Sequence, residues 1–199
     1  MLTLHRAGLL LADPSGEPVA DGAVLVEGDR VVALGPYAPV AGARERVWGG
    51  LLTPGLCNPY GQWLLETAYH PDPREELGEE PLLLDGELDE TRRGGSARRG
   101  LQRMLGYGTT AVAGPFTSAA VRTAVARSGL VSFGGAGERG GLDPLAGAGL
   151  AAAVHRPLTV GGRADFAVFA VGSVAELGEA GAGSCLATVL GGRILYRRR

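Results

Sequence analysis

Between Gly108 and Ala136 the chain reads "GTTAVAGPFTSAAVRTAVARSGLVSFGGA". An apolar run is followed by a helical one and then by a second apolar run. Thr117 or Ser118 supplies an N-cap for a helix over "TSAAVRTAVARSG", and Gly129 ends it. Strand, helix and strand in this order predict two parallel strands joined by a right-handed crossover. Just upstream, "ETRRGGSARRGLQRMLGYG" has helical spacing and puts Leu101, Met104 and Leu105 on one face. The middle of the chain therefore reads as α/β.

Both ends read as β. "LTLHRAGLLLA" closes at the turn Asp13-Pro14-Ser15-Gly16. "GAVLVEG" and "RVVALG" flank Gly28-Asp29, a compact hairpin signal. "ERVWGGLLTPG" supplies another short strand. Near the other end, "RADFAVFAV" alternates, and "SCLATVLGGRILYRRR" reads as two strands around Gly191-Gly192. The expected fold class is α/β. One economical arrangement packs the two ends, residues 1–52 and 157–199, as a single small β domain beside an α/β segment over 53–156.

Composition narrows the function. Of 199 residues, 45% are hydrophobic, enough for a real core. The 34 glycines gather mostly after position 100 and follow no collagen period. A formal charge of −2 leaves no electrostatic footprint for nucleic acid. All 19 basic residues are arginine. Without lysine there is no Schiff-base lysine, no P-loop lysine and no carbamylated lysine between two metals. Cys57 and Cys185 form no disulfide framework. The first residues are too soon interrupted for a signal peptide, and no apolar run reaches the ~18 residues of a membrane span. A cytoplasmic setting with no membrane partner is expected.

The stretch "LLTPGLCNPYGQW", Leu51 to Trp63, carries the most recognisable motif. With "RAGLLLADPSG…DGAVLVEGDRVVALGP" before it, it resembles the opening of amidohydrolase-superfamily enzymes. The likeness is to the imidazolonepropionase, guanine deaminase and aminodeoxyfutalosine deaminase group. "PLTVGGRADFAVFAV" and "TVLGGRILYRRR" resemble the return of that family into its β-sandwich, and "LQRMLGYGTTAVAG" resembles its first barrel helix and second strand. The resemblance covers about 60 residues at one end and about 40 at the other. A complete barrel takes eight strands and roughly 250 residues. The middle here has room for two to four βα units, so the resemblance implies a small β-sandwich built from both chain ends plus a truncated TIM-barrel-like α/β segment over 53–156.

In the family, a Pro-Gly-apolar-apolar-Asp-x-His-x-His run opens the barrel and its histidines hold a metal. Here Pro54-Gly55 match and Asn58 stands at the Asp position. Tyr60 and Gln62 stand where the two histidines would be. Neither is a good ligand for zinc or iron. The resemblance therefore implies an imidazolonepropionase-like pseudoenzyme that has lost its metal and its catalysis. No metal and no cofactor are expected. The alternative it implies is a hydrolase of carbon–nitrogen, non-peptide bonds, such as a cyclic amidine or aminopurine-type deaminase completed by a partner chain.

Asn58, Tyr60, Gln62 and His70 form the candidate pocket for a small molecule. His70 lies in the polar run "YHPDPREELGEE" and reads as solvent-facing. Cys57, His70 and Asp72 have the spacing of no standard metal site. Cys57 reads as a buried structural thiol, and His155 as a surface connector. The acidic residues Glu75, Glu76, Glu79, Glu80, Asp85, Glu87, Asp89 and Glu90 read as a solvated loop. Gly135-x-Gly137-x-x-Gly140 follows a strand as a dinucleotide fingerprint does. It lacks the following helix and acidic residue, and reads as a bare glycine loop. A half-barrel leaves strand edges uncovered, so a homodimer or partner-protein contact is expected through residues 53–150.

Overall fold

The computed structural model describes residues 1–83 and 88–198. Asp85 and Glu87 of the acidic run lie outside the described residues. The two chain ends merge into one seven-stranded sheet. Its strands are β1 (Leu2–Leu10), β2 (Val19–Glu27), β3 (Arg30–Pro36), β4 (Arg44–Pro54), β8 (Phe166–Phe169), β9 (Cys185–Leu190) and β10 (Arg193–Arg197). The order across the sheet is β10-β9-β8-β4-β1-β2-β3. β1 and β4 are parallel and all other neighbours are antiparallel. β4 against β8 is the seam where the two ends of the chain meet.

Local chemistry explains the turns. Glu27 pairs with Arg30 across Gly28-Asp29. Leu190 pairs with Arg193 across Gly191-Gly192. Both of those glycines have positive φ, 54° and 72°, as a primed hairpin turn demands. The sheet curls until the start of β3 meets the chain before β8. Val31 donates to the carbonyl of Gly162 and receives the amide of Gly161, and Ala164 donates to Asp29. The core inside the curl joins Leu10, Val24, Val26 and Val31 to Phe166, Val168 and Val189.

β4 falls on the strand expected in "ERVWGGLLTPG" and runs eleven residues, straight through Gly49-Gly50. β8 approaches so closely there that a Cβ on Gly50 would overlap the Phe169 carbonyl.

The middle of the chain is a three-stranded parallel sheet, β5 (Leu56–Asn58), β6 (Thr109–Gly114) and β7 (Val131–Gly134), in that order. Helix α1 (Gly61–Glu66) follows β5, and α2 (Glu90–Leu105) leads into β6. Helix α3 (Ala119–Ser128) crosses from β6 to β7. Ser118 caps α3, accepting the Val121 amide at 3.3 Å, and Gly129 ends it. Asp89 caps α2 through the Arg92 amide at 2.8 Å. Leu101, Met104 and Leu105 are buried on one face of α2, as their spacing predicts, against Val121 and Val125 of α3. Two short helices complete the chain, α4 (Leu150–Ala153) and α5 (Val174–Ala180).

The two sheets share apolar packing. Leu51, Ala167, Phe169 and Cys185 of the large sheet lie in one cluster with Leu56, Leu145 and Ala153. No helix among the described residues is long and apolar enough to cross a membrane.

Candidate functional site

The site predicted from sequence lies where β5 ends and α1 begins, at the carboxyl end of the parallel sheet. Asn58 is fully buried there. Its side-chain oxygen accepts the Tyr60 amide at 2.8 Å, an Asx turn that starts α1. Its amide nitrogen donates to the carbonyls of Gly141 and Leu142, both at 3.1 Å. Asn58 thus fastens the glycine-rich segment after β7 onto the β5 tip. Both of its side-chain N–H donors are thereby engaged, and its oxygen keeps one acceptor lone pair.

Three further contacts hold that segment down. The Tyr60 ring lies against Gly140 so closely that a Cβ on the glycine would overlap it. The Gln62 side-chain oxygen sits 2.5 Å from where a Cβ on Gly137 would stand, and Gly137 has φ +71°. The Arg139 guanidinium lies 5.3 Å from the Trp63 ring centroid, a cation–π distance. The segment expected as a bare loop is packed onto the very residues that replace the histidine pair. Tyr60 and Gln62 remain half-buried.

A resident metal can be tested against this geometry, and the residues do not fit one. A phenol and a carboxamide are the wrong donors. The backbone of Gly137 and Gly140 packs against them. Among the described residues no three His, Cys, Asp or Glu side chains converge on a point.

His70 is not brought to this tip, and the expectation that it faces solvent is corrected. It is fully buried between α1 and α2. Its Nε2 bonds the Leu64 carbonyl at 2.9 Å, its amide donates to Ser96 Oγ at 2.9 Å, and its carbonyl accepts from Arg99 at 2.8 Å. Gly100 on α2 makes the space, since a Cβ there would stand 2.5 Å from His70 Nε2. Burial, with help from Arg103 and Arg99 and against the Leu64 bond, lowers the imidazole to a pKa of about 4. His70 is a neutral strut between two helices.

The remaining candidates also part company. Cys57 is half-buried rather than buried, and burial raises its thiol pKa, so it is a poor nucleophile. Asp72 caps a short turn through the Arg74 amide and pairs with Arg99 at 3.4 Å. Glu76, Glu79 and Glu80 are exposed as expected, whereas Glu75 is drawn in by the Tyr69 hydroxyl at 2.6 Å.

Sequence reading missed Glu66. Its carboxylate accepts the amides of Thr117 and Ser118 at 2.5 and 2.7 Å. It so closes the amino end of α3 from the end of α1. The acidic residue in the last turn of α1 was the one available signal.

No protein-family model matches this sequence, and no curated protein matches it. Parts of solved structures are similar to it. Against the crystal structure of A. niger ochratoxinase the TM-score is 0.46 at 19% identity, over 67% of this chain and 31% of that one. An amidohydrolase from an environmental sample of the Sargasso Sea gives 0.45 and 23%, over 66% and 33%. An adenosine deaminase from Xanthomonas campestris, solved with bound zinc, gives 0.46 and 19%, over 66% and 33%. This chain spans about a third of the length of each.

Proposed function

We propose that this chain is an amidohydrolase-like protein without metal-dependent catalysis, and that it works by binding or docking. The observation that carries this reading is the packing of Gly137 and Gly140 onto Gln62 and Tyr60. Hydrolytic deamination requires a water made acidic by a metal and a group to move its proton. Here the two positions that resemble metal ligands have poor donors, and a glycine segment of the same chain packs against them.

The docking half of the reading rests on β7. It bonds to β6 along one edge, and its residues Val131-Ser132-Phe133-Gly134 carry no charge. Uncharged edge strands are templates for pairing with another chain. The proposed occupant is a second copy of this chain, pairing β7 with β7. Light scattering on the purified protein tests it. A dimer that Ser132→Arg reduces to a monomer is expected, because Ser132 is exposed and a charge on an edge strand opposes pairing. A monomer at micromolar concentration overturns the docking reading. The competing reading, a hydrolase of carbon–nitrogen bonds completed by a partner chain, predicts turnover of cyclic amidines or aminopurines once zinc or iron is supplied. Turnover of that kind overturns the non-catalytic reading.

A further inference from the structure

A second cleft lies at the opposite end of the parallel sheet from Tyr60. It has a volume of about 360 Å³ and opens between the amino ends of β5–β7 and the segment that leads into β8. That is within the size range of small-molecule sites. Gly55, Thr110 and Val131 line it from the parallel sheet, and residues 155–165 line it from the other side.

Its charge is lopsided. Arg30, Arg156 and Arg163 line it against a single lining carboxylate, Asp165. Arg163 is held in place by Asp165 at 3.0 Å and by the Gly129 carbonyl at 2.9 Å. Asp165 is further committed, accepting the Gly191 amide at 2.7 Å. Arg30 leans on the Gly161 carbonyl at 3.4 Å and on Asp29 at 3.6 Å. Arg156 makes no side-chain hydrogen bond or ion pair among the described residues, and it is exposed at the wall. One guanidinium is thus fixed, one is loosely tethered and one is uncommitted.

The second observation is His155. Its ring stacks on Phe133 with centroids 5.1 Å apart, which fixes its plane. Its Nε2 is buried from solvent and has no hydrogen-bond partner. The residue also lines the cleft. Burial, with Arg156 nearby, lowers the imidazole pKa and favours the neutral ring. A neutral ring still has a nitrogen able to donate one proton.

We propose that this cleft binds a small oxyanion, a phosphate or carboxylate group, held by Arg156 and Arg30 at its wall, by Arg163 at its floor and by His155. Guanidinium forks match such groups in shape as well as charge. The site goes beyond the docking reading and does not depend on it. It shares no residue with the Asn58 tip.

The test is a two-dimensional amide NMR titration of the full chain with inorganic phosphate, and separately with succinate, against sodium chloride at matched ionic strength. Saturable shifts confined to residues around 30, 110 and 155–165 are expected with at least one of the two anions. Which anion saturates assigns the phosphate or carboxylate class. Arg156→Gln removes no side-chain hydrogen bond or ion pair among the described residues, and it is expected to weaken binding by about tenfold or more. Shifts that never saturate, that centre elsewhere, or that Arg156→Gln leaves unchanged overturn the proposal.

Discussion

Tyr60 and Gly140 lie eighty residues apart, and the ring of one rests on the backbone of the other with no room for a methyl group between them. This contact turns a motif that resembles the mouth of a metal site into a closed junction. Gly140→Ala is expected to destabilise the protein by about 1–3 kcal/mol, because overpacking must move either the ring or the segment. Urea denaturation followed by tryptophan fluorescence reads the change as a lower midpoint at constant slope. An unchanged midpoint contradicts the packing described here.

Asn58 is the other fastening of that junction. Replacing it by alanine leaves the Tyr60 amide and the Gly141 and Leu142 carbonyls without their partners. The expected loss is about 2–3 kcal/mol, at the upper end for neutral buried groups. Asn58→Asp is a sharper probe, since it keeps an acceptor for Tyr60 but has no donor for the two carbonyls. It is expected to lose stability near neutral pH, and equal stability of Asn58→Asp and wild type contradicts the donor role.

Much of this was legible from sequence where the signals are local. The caps Ser118 and Gly129, the Leu101–Leu105 face and the Gly28-Asp29 and Gly191-Gly192 turns each need only a few neighbouring residues. The parallel β6–α3–β7 unit follows from them. What was not legible depends on contacts across long separations. His70 reads as exposed because its neighbours are polar, and the space that buries it comes from Gly100 on another helix. The glycine run after β7 reads as a linker because nothing adjacent reveals Asn58 waiting 83 residues away.

Two buried histidines make stability depend on pH. His5 is lowered to about 4 by burial first and then by Arg46, and its Nδ1 receives the Trp48 indole N–H at 3.3 Å. His70 is lowered to about 4 as well. In the unfolded chain both titrate near the ordinary 6.5. Below that pH the unfolded state takes up protons that the folded state refuses, so stability falls as pH drops from 6.5 towards 4. The loss reaches on the order of 3 kcal/mol per histidine at the foot of that window. Asp165, raised by burial, works in the opposite sense at acid pH. Histidine ring proton shifts are expected to place both midpoints near 4. A midpoint near 6.5 for either ring contradicts its burial.

Glu66 ties α1 to α3. Removing its carboxylate frees the Thr117 and Ser118 amides at the positive end of α3. Glu66→Ala is expected to cost about 1–2 kcal/mol and to speed hydrogen exchange at those two amides. Unchanged exchange at both positions contradicts the capping role.

The central claim is that the tip formed by Asn58, Tyr60 and Gln62 is a packed junction and holds no metal. Its most direct test is the metal content of the full chain, purified from cells grown with added zinc and iron and measured by plasma mass spectrometry. The account predicts far less than one metal ion per chain. One tightly held zinc or iron per chain, lost on Tyr60→Phe or Gln62→Ala, would contradict it.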